Sequence, residues 1–229
     1  MRFATLLSGG KDSCLAHHVA HQWGFEPTAC IVVRPEDPES HMFHVPNLDL
    51  AAAQAEAMGT PLIEVTAPAG EGIETGILVD AFQAARDEHG AETIVSGAVA
   101  SEYQRVRIER AAHQVDVKTH TPIWHKDPVA ILDLLIEARF DVRFSAVAAW
   151  GMGEDWLGAR LDQTRRDALV SLQERYRVHP GGEGGEYESL VLDAPLFQAR
   201  IVVTEAEASF QRDSGRWRVQ AFHLEPKAG

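Results

Sequence analysis

Six consecutive residues near the start of this chain, Ser8-Gly9-Gly10-Lys11-Asp12-Ser13, gather an ammonium, two hydroxyls and a carboxylate around two positions without a Cβ. The hydroxyls and the lysine can donate to phosphate oxygens. The glycines let backbone N–H groups approach an anion closely. Asp12 can hold a magnesium ion, directly or through water. A second dense patch follows at Gly97-Ala98-Val99-Ala100-Ser101-Glu102-Tyr103-Gln104-Arg105-Val106-Arg107, where two arginine forks could take phosphate or carboxylate oxygens. The same arginines could equally pair with Glu102 and Glu109 along one solvated helix face, and the patch alone favours that reading. A third, Gly181-Gly182-Glu183-Gly184-Gly185-Glu186-Tyr187-Glu188-Ser189, sets three carboxylates and an aromatic ring among four glycines, a composition suited to a cation, a metal or a protonated amine.

The elements around the first stretch explain how it would work. The apolar run Phe3-Ala4-Thr5-Leu6-Leu7 precedes it and the helical run Cys14-Leu15-Ala16-His17-His18-Val19-Ala20 follows. Strand, glycine turn and helix turn the free N–H groups and positive dipole end of a helix toward the strand's carboxyl end, where an anion is stabilised. Neither G-x-G-x-x-G nor G-x-x-x-x-G-K-[ST] fits these residues.

Downstream the chain alternates apolar runs with amphipathic stretches. Thr28-Ala29-Cys30-Ile31-Val32-Val33, Pro61-Leu62-Ile63-Glu64-Val65 and Thr93-Ile94-Val95-Ser96 are expected as strands, with helices over Leu48 to Met58 and Ile73 to His89. Polar loops are expected over Arg34 to Pro46 and Gly70 to Gly72. This pattern predicts a parallel sheet with crossover helices, and ligands bind beyond the carboxyl ends of such strands. Ser8 to Ser13, Val32, Val33 and Gly97 would then line one nucleotide site, with adenine read by main-chain groups near Val32 and Val33. Thr121-Pro122-Ile123-Trp124 breaks the alternation. The expected architecture is therefore α/β: an N-terminal domain over residues 1–121, then a smaller α+β domain over 122–229. In that second part the patterning predicts helices over Pro128 to Ala138 and Asp162 to Tyr176. Strands are expected over Val142 to Ala149 and near Ser189-Leu192, Ile201-Thr204 and Trp217-Leu224, the last two split by a turn at Asp213-Ser214-Gly215.

Composition bounds the function. The 229 residues carry 45% hydrophobic content and a net charge of −13. That charge argues against a general nucleic-acid binder, whose affinity comes from a basic surface releasing counterions. No apolar run approaches the ~18 residues of a membrane span, and Met1 leads at once into an apolar run without a signal-peptide pattern, so a cytoplasmic location is expected. Cys14 and Cys30 are expected as reduced thiols. His17 and His21 lie one helical turn apart, but neither H-E-x-x-H nor a cysteine cluster accompanies the eleven histidines, so a zinc site is not expected.

Ser8 to Ser13 matches the S-G-G-K-D-S signature of the PP-loop ATP pyrophosphatases. Together with G-A-V-A-S-E-Y-Q-R-V-R and G-E-G-G-E-Y-E-S-L-V-L-D-A-P-L-F, it resembles the diphthine–ammonia ligase family of PP-loop proteins. M-F-H-V-P-N, T-P-I-W and W-L-G-A-R-L-D fall where that family has similar stretches, so the resemblance runs from about Arg2 to Val203. It implies an N-terminal nucleotide-binding domain of the HUP (Rossmann-like) kind and a substrate domain. The implied reaction is ATP-dependent amidation of diphthine on elongation factor 2 with free ammonium. Attack of the carboxylate on the α-phosphate expels pyrophosphate, and ammonia then displaces AMP.

On this reading Lys11, Asp12 and Arg105 do the catalytic work, Asp12 holds Mg2+, and Ser8, Gly9, Gly10, Lys11, Asp12, Ser13, Val32, Val33 and Gly97 bind ATP. Tyr103, Gln104, Arg107, Glu183, Gly184, Gly185, Glu186, Tyr187 and Glu188 meet the acceptor. The acid-rich loop would attract its trimethylammonium group, with the Tyr187 ring as a cation face. A homodimer is compatible with the sequence. Adenylation of another small carboxylate is a second reading, and a regulatory nucleotide binder without turnover a third; intact Lys11 and Asp12 argue against the latter.

Overall fold

A computed structural model describes residues 1–35, 49–67 and 73–227. The M-F-H-V-P-N stretch, the loop beyond Pro35 and the loop at 70–72 lie outside them. The chain divides into two compact units, Met1–Ser8 with Asp12–Trp124, and Gly9–Lys11 with His125–Gly229.

The first unit is the expected α/β fold. Its elements run β1 (Arg2–Leu6), α1 (Lys11–Gln22), β2 (Glu26–Pro35), α2 (Asp49–Met58), β3 (Leu62–Ala67), α3 (Ile73–His89), β4 (Thr93–Val95), α4 (Glu102–Gln114) and β5 (Lys118–His120). Five parallel strands pair in the order β3-β2-β1-β4-β5. Side-chain alternation sorts the two faces. Ala4, Ala29, Ile31 and Val33 pack against Leu78, Ala81, Phe82 and Ala85 of α3 and Ile108, Ala111 and Ala112 of α4. Phe3 and Val95 face the other way, against Ala16 and Ala20 of α1. Both faces are covered, which is why β2 reads as an uninterrupted apolar run. Truncating fully buried Phe82 to alanine would cost about 3–5 kcal/mol.

β5 is a strand that the apolar pattern does not announce. Lys118-Thr119-His120 is short, polar and at the sheet's edge, so backbone pairing with β4 forms it without a continuous buried face.

The second unit contains α5 (Pro128–Glu137), β6 (Asp141–Val147), a single 3-10 turn (Glu154–Trp156), α6 (Gln163–Tyr176), β7 (Tyr187–Asp193), β8 (Ala199–Gln211) and β9 (Ser214–Pro226). Its sheet is antiparallel in the order β7-β6-β9-β8. Asp127 and Asp162 cap α5 and α6, their carboxylates accepting the N–H of Ala130 at 2.9 Å and of Arg165 at 2.8 Å. Phe144 anchors the core, its ring centroid 5.0 Å from those of Trp156 and Tyr187.

The closing hairpin differs from expectation. Its turn is Arg212-Asp213, while Ser214 and Gly215 already belong to β9 and pair with Gln211 and Phe210. Both strands are 13 residues long and outrun the apolar segments. Most side chains from Thr204 to Ser209 are exposed, so the main-chain ladder sets strand length here. Among the described residues, no helix is long and apolar enough to cross a membrane.

Candidate active site

In the first unit the strand order reverses between β1 and β4: β2 and β3 extend to one side and β5 to the other. The crevice at such a switch point, beyond the strands' carboxyl ends, is where open α/β sheets bind ligands. Ser8 follows β1, and Ser96-Gly97 follow β4, so both candidate stretches border it. Gly9 has φ +83°, the left-handed backbone that turns the chain from β1 into α1. The Ser8 and Ser13 hydroxyls lie 3.0 Å apart, and Ser13 Oγ also accepts the Ser8 N–H at 3.2 Å. Gly97 presses on the first turn of α1: a Cβ there would stand 2.5 Å from the Ser13 nitrogen and 2.6 Å from the Asp12 carbonyl carbon. Only glycine lets these two loops meet. Val32 and Val33, 0% and 5% exposed, continue β2 past its last pair with β1, Leu6 with Ile31.

Beneath the loop lies a polar contact that the sequence reading did not assign. His17, 2% exposed, shares a 2.9 Å hydrogen bond through Nδ1 with the Thr5 hydroxyl, and its ring meets Phe3 edge-on at 5.1 Å. Burial, reinforced by His21 and His18, pushes its pKa down to about 4. Burial also raises the Cys14 thiol, and lifts Cys30 to about 12, so both are poor nucleophiles.

α4 begins at the same sheet edge, its N-cap Ser101 accepting the Gln104 N–H at 3.3 Å. Arg105 donates to Glu102 at 2.9 Å and to Glu109 at 2.6 Å, and its guanidinium lies 5.2 Å from the Trp124 ring centroid. Arg107 stacks on Tyr103 at 3.3 Å and donates to the Tyr103 carbonyl. The intrahelical pairing that the patch favoured on its own is therefore present in this structure.

The second unit holds the glycine- and acid-rich motif together with Gly9 to Lys11. Lys11 is only 3% exposed. Its ammonium donates to the Gly181 carbonyl at 2.6 Å and lies 5.3 Å from the centroid of the Tyr187 ring. Its N–H donates to Ser189 Oγ at 3.1 Å, and the Gly9 carbonyl accepts the Val191 N–H at 3.0 Å. A buried ammonium is tolerable only with such compensation.

The motif is wired to itself. The Glu186 carboxylate accepts the N–H of His179 at 2.9 Å and of Gly184 at 2.8 Å. His179 Nδ1 accepts the Gly181 N–H at 3.1 Å, and the Tyr187 hydroxyl donates to the Pro180 carbonyl at 2.6 Å. These bonds give the segment a set shape where four glycines alone suggest a mobile backbone. They also change two expectations. Tyr187 is 5% exposed with Lys11 over its ring, so that face is spent on the chain's own cation. Glu186 directs its oxygens to backbone N–H groups. Glu183 and Gly184–Gly185 are exposed, and Glu188 is half-buried. His179 and Pro180 lie just before the motif and carry no signal of their own.

The donor set fits a nucleotide phosphate. The start of α1, the left-handed Gly9 and the paired hydroxyls, with Gly97 packed against the first turn of α1, have the chemistry of an anion cradle. The Asp12 carboxylate, on the first turn of α1, is the acid there that suits a hard cation. Among the described residues no group of three or more histidine, cysteine, aspartate or glutamate side chains forms a metal cage.

Residues 1–119 match the diphthamide synthase N-terminal domain and residues 127–224 the diphthamide synthase C-terminal domain. A diphthine–ammonia ligase from Bos taurus is 32% identical, covering 90% of this chain and 84% of that protein. Those from Rattus norvegicus and Danio rerio are each 31% identical over 99% of this chain and 94% and 98% of their own lengths. A solved chain described as a predicted subunit of tRNA methyltransferase from Methanocaldococcus jannaschii aligns with TM-score 0.46 at 16% identity, over 85% of this chain and 98% of that one, too low a score to carry any inference. With both halves matched and relatives aligned over nearly the whole length, this chain belongs to the diphthamide synthase family.

Proposed function

We propose that this protein is an ATP-dependent amide ligase that adenylates the carboxylate of diphthine on elongation factor 2 and transfers ammonia to it. The observation that carries the reading is the phosphate cradle at the β1/β4 switch point, with Lys11 fixed at its loop, in a chain whose relatives are named diphthine–ammonia ligases. A carboxylate resists ammonia because its leaving group would be oxide. Attack of a carboxylate oxygen on the α-phosphorus of ATP forms an acyl adenylate and breaks the bond to pyrophosphate. Ammonia then attacks the acyl carbon, loses a proton and expels AMP.

The N–H groups that follow Lys11 at the start of α1, the Ser8 and Ser13 hydroxyls and the Lys11 ammonium oppose charge growing on the leaving pyrophosphate, the moment at which fixed donors do most for the rate. Magnesium held by Asp12 would supply further charge neutralisation there. Main-chain groups of Val32 and Val33 meet the adenine. Arg105 or Arg107 holds the reacting carboxylate, which requires that an arginine leave its helix-face partner for the substrate. Tyr103 and Gln104 flank it. Glu183 and Glu188 carry charge opposite to the acceptor's quaternary ammonium, and Gly184 and Gly185 let the acceptor approach the backbone. Residues 1–121 act as the nucleotide domain and 122–229 as the acceptor domain.

The test is product analysis with elongation factor 2 bearing diphthine, ATP, magnesium and ammonium. Stoichiometric AMP and pyrophosphate, dependent on both acceptor and ammonium, are expected. Release of ADP and phosphate instead refutes the adenylation step.

A further inference from the structure

Three contacts converge on Lys11 from one short segment. The Gly181 carbonyl takes its ammonium, the Tyr187 ring lies beneath that ammonium, and Ser189 Oγ takes its N–H. Tyr187 and Ser189 are two apart on β7, so strand geometry presents both to one side, and both reach the same lysine. The carbonyl is aimed by its neighbours. Tyr187 Oη donates to the Pro180 carbonyl and His179 Nδ1 accepts the Gly181 N–H, so both bonds fix the peptide unit just before it, and the Gly182 N–H, donating to the His179 carbonyl at 2.9 Å, fixes the carbonyl's own unit. Gly182, at φ +75°, makes the turn, and a Cβ there would stand 2.9 Å from the Tyr187 carbonyl oxygen.

A lysine side chain has four rotatable bonds and ordinarily samples many rotamers. Here it is 3% exposed and clamped at both its backbone and its tip. An ammonium held in place costs no reorganisation when charge develops on a bound phosphate, and its charge acts on that phosphate whichever acceptor it also touches.

We infer that Tyr187 and Ser189 are positioning residues for the phosphate-binding lysine, so that the acid-rich motif serves the nucleotide chemistry through Lys11 as well as meeting the acceptor. This rests on the ATP-binding reading of the Ser8–Ser13 loop. The motif then has two parts. Glu186 and His179 set the shape of the segment, and Tyr187, Ser189 and the Gly181 carbonyl use that shape to fix Lys11.

The experiment measures ATP binding by calorimetry, without acceptor or turnover, on wild type, Lys11→Met, Tyr187→Leu, Tyr187→Phe and the Lys11→Met/Tyr187→Leu double variant. Tyr187→Leu is expected to bind ATP roughly tenfold more weakly, and Tyr187→Phe, which keeps the ring, to regain most of that loss. In the Lys11→Met background Tyr187→Leu should add nothing, a coupling that a merely structural role does not produce. Additive losses overturn the proposal, as does wild-type ATP affinity in Tyr187→Leu combined with a raised KM for the acceptor. Wild-type protein that binds no ATP refutes the nucleotide site and the proposal with it. Should Tyr187→Leu fail to fold, the pair Ser189→Ala and Ser189→Thr decides: weaker ATP binding in the first and recovery in the second are expected, and unchanged affinity in both overturns the proposal.

Discussion

His17 makes the packing of α1 on β1 acid-sensitive, and the size of the effect follows from its burial. The imidazole packs between β1 and α1 with 2% exposure, a hydrogen bond of 2.9 Å to Thr5 and a phenyl edge at 5.1 Å. Burial sets the cost of charging it, and the neighbouring His21 and His18 raise that cost further. Its folded pKa is about 4 against an ordinary 6.5. Between these values the unfolded chain holds a proton that the folded chain does not, so stability rises with pH across the window. The contribution is fully present above about pH 6.5 and is lost as pH falls toward about 4, for a total of roughly 3 kcal/mol.

The perturbation is His17→Gln, which keeps a polar group near Thr5 and cannot take up the proton. Urea unfolding followed by tryptophan fluorescence, at about pH 7.5 and about pH 4.5, gives the two stabilities. Wild type should lose roughly 2–3 kcal/mol more than the variant between them. Taking the difference removes the carboxylates and also His18, whose pKa burial and His21 lower in the same direction. An equal loss in both proteins, or an imidazole resonance of His17 titrating at its ordinary value in the folded state, refutes the reasoning.

Two further outcomes test the site. Gly97→Ala puts a methyl carbon 2.5 Å from the backbone of α1's first turn, where no flexible side chain can yield; a loss of about 1–3 kcal/mol in urea unfolding and a clear loss of ATP affinity are expected, and wild-type values in both would show that the cradle does not depend on this contact. Arg105→Ala removes two solvent-screened ion pairs, so its stability should change little while acceptor-dependent AMP formation falls at least about tenfold; retention of full activity would return Arg105 to a purely helix-face role.

The geometry of the proposed nucleotide site depends more on backbone than on side-chain chemistry. Gly9 makes the turn, and Gly97 permits the close approach to the first turn of α1. Such a site tolerates little change at those positions, because a Cβ cannot be accommodated by rotamer adjustment. The lysine is the exception: its placement depends on side-chain and carbonyl partners far away in sequence.

Local patterns carried much of the architecture into view. The order of strand, glycine turn and helix at Phe3 to Ala20 is set by apolar period, by the glycines and by the hydroxyl residues, all of which act over a few neighbouring positions. The same holds for α3, whose apolar stripe ends where the helix ends at His89, and for α5 and α6, whose aspartate caps stand just before them. β5 escaped notice because an edge strand of three polar residues needs only a neighbour's backbone, and the long β8–β9 hairpin exceeded its apolar runs for the same reason.

The chemistry divides along that line. Residue types alone indicate that Ser8 to Ser13 suits a phosphate, since an ammonium, hydroxyls and glycines before a helix carry that meaning wherever the chain puts them. They could not reveal which cation the Tyr187 ring serves. A ring next to carboxylates reads as open to a ligand until folding brings Lys11, 176 positions earlier in the chain, over its face at 5.3 Å. Nor could they show that Glu186 braces its own loop, because two backbone N–H groups converge on one carboxylate only after the turn at Gly182 and Gly185 has formed. Local propensity and composition act between near neighbours. Contacts made across such sequence distances exist only in the folded chain, and they decide what the acid-rich segment does.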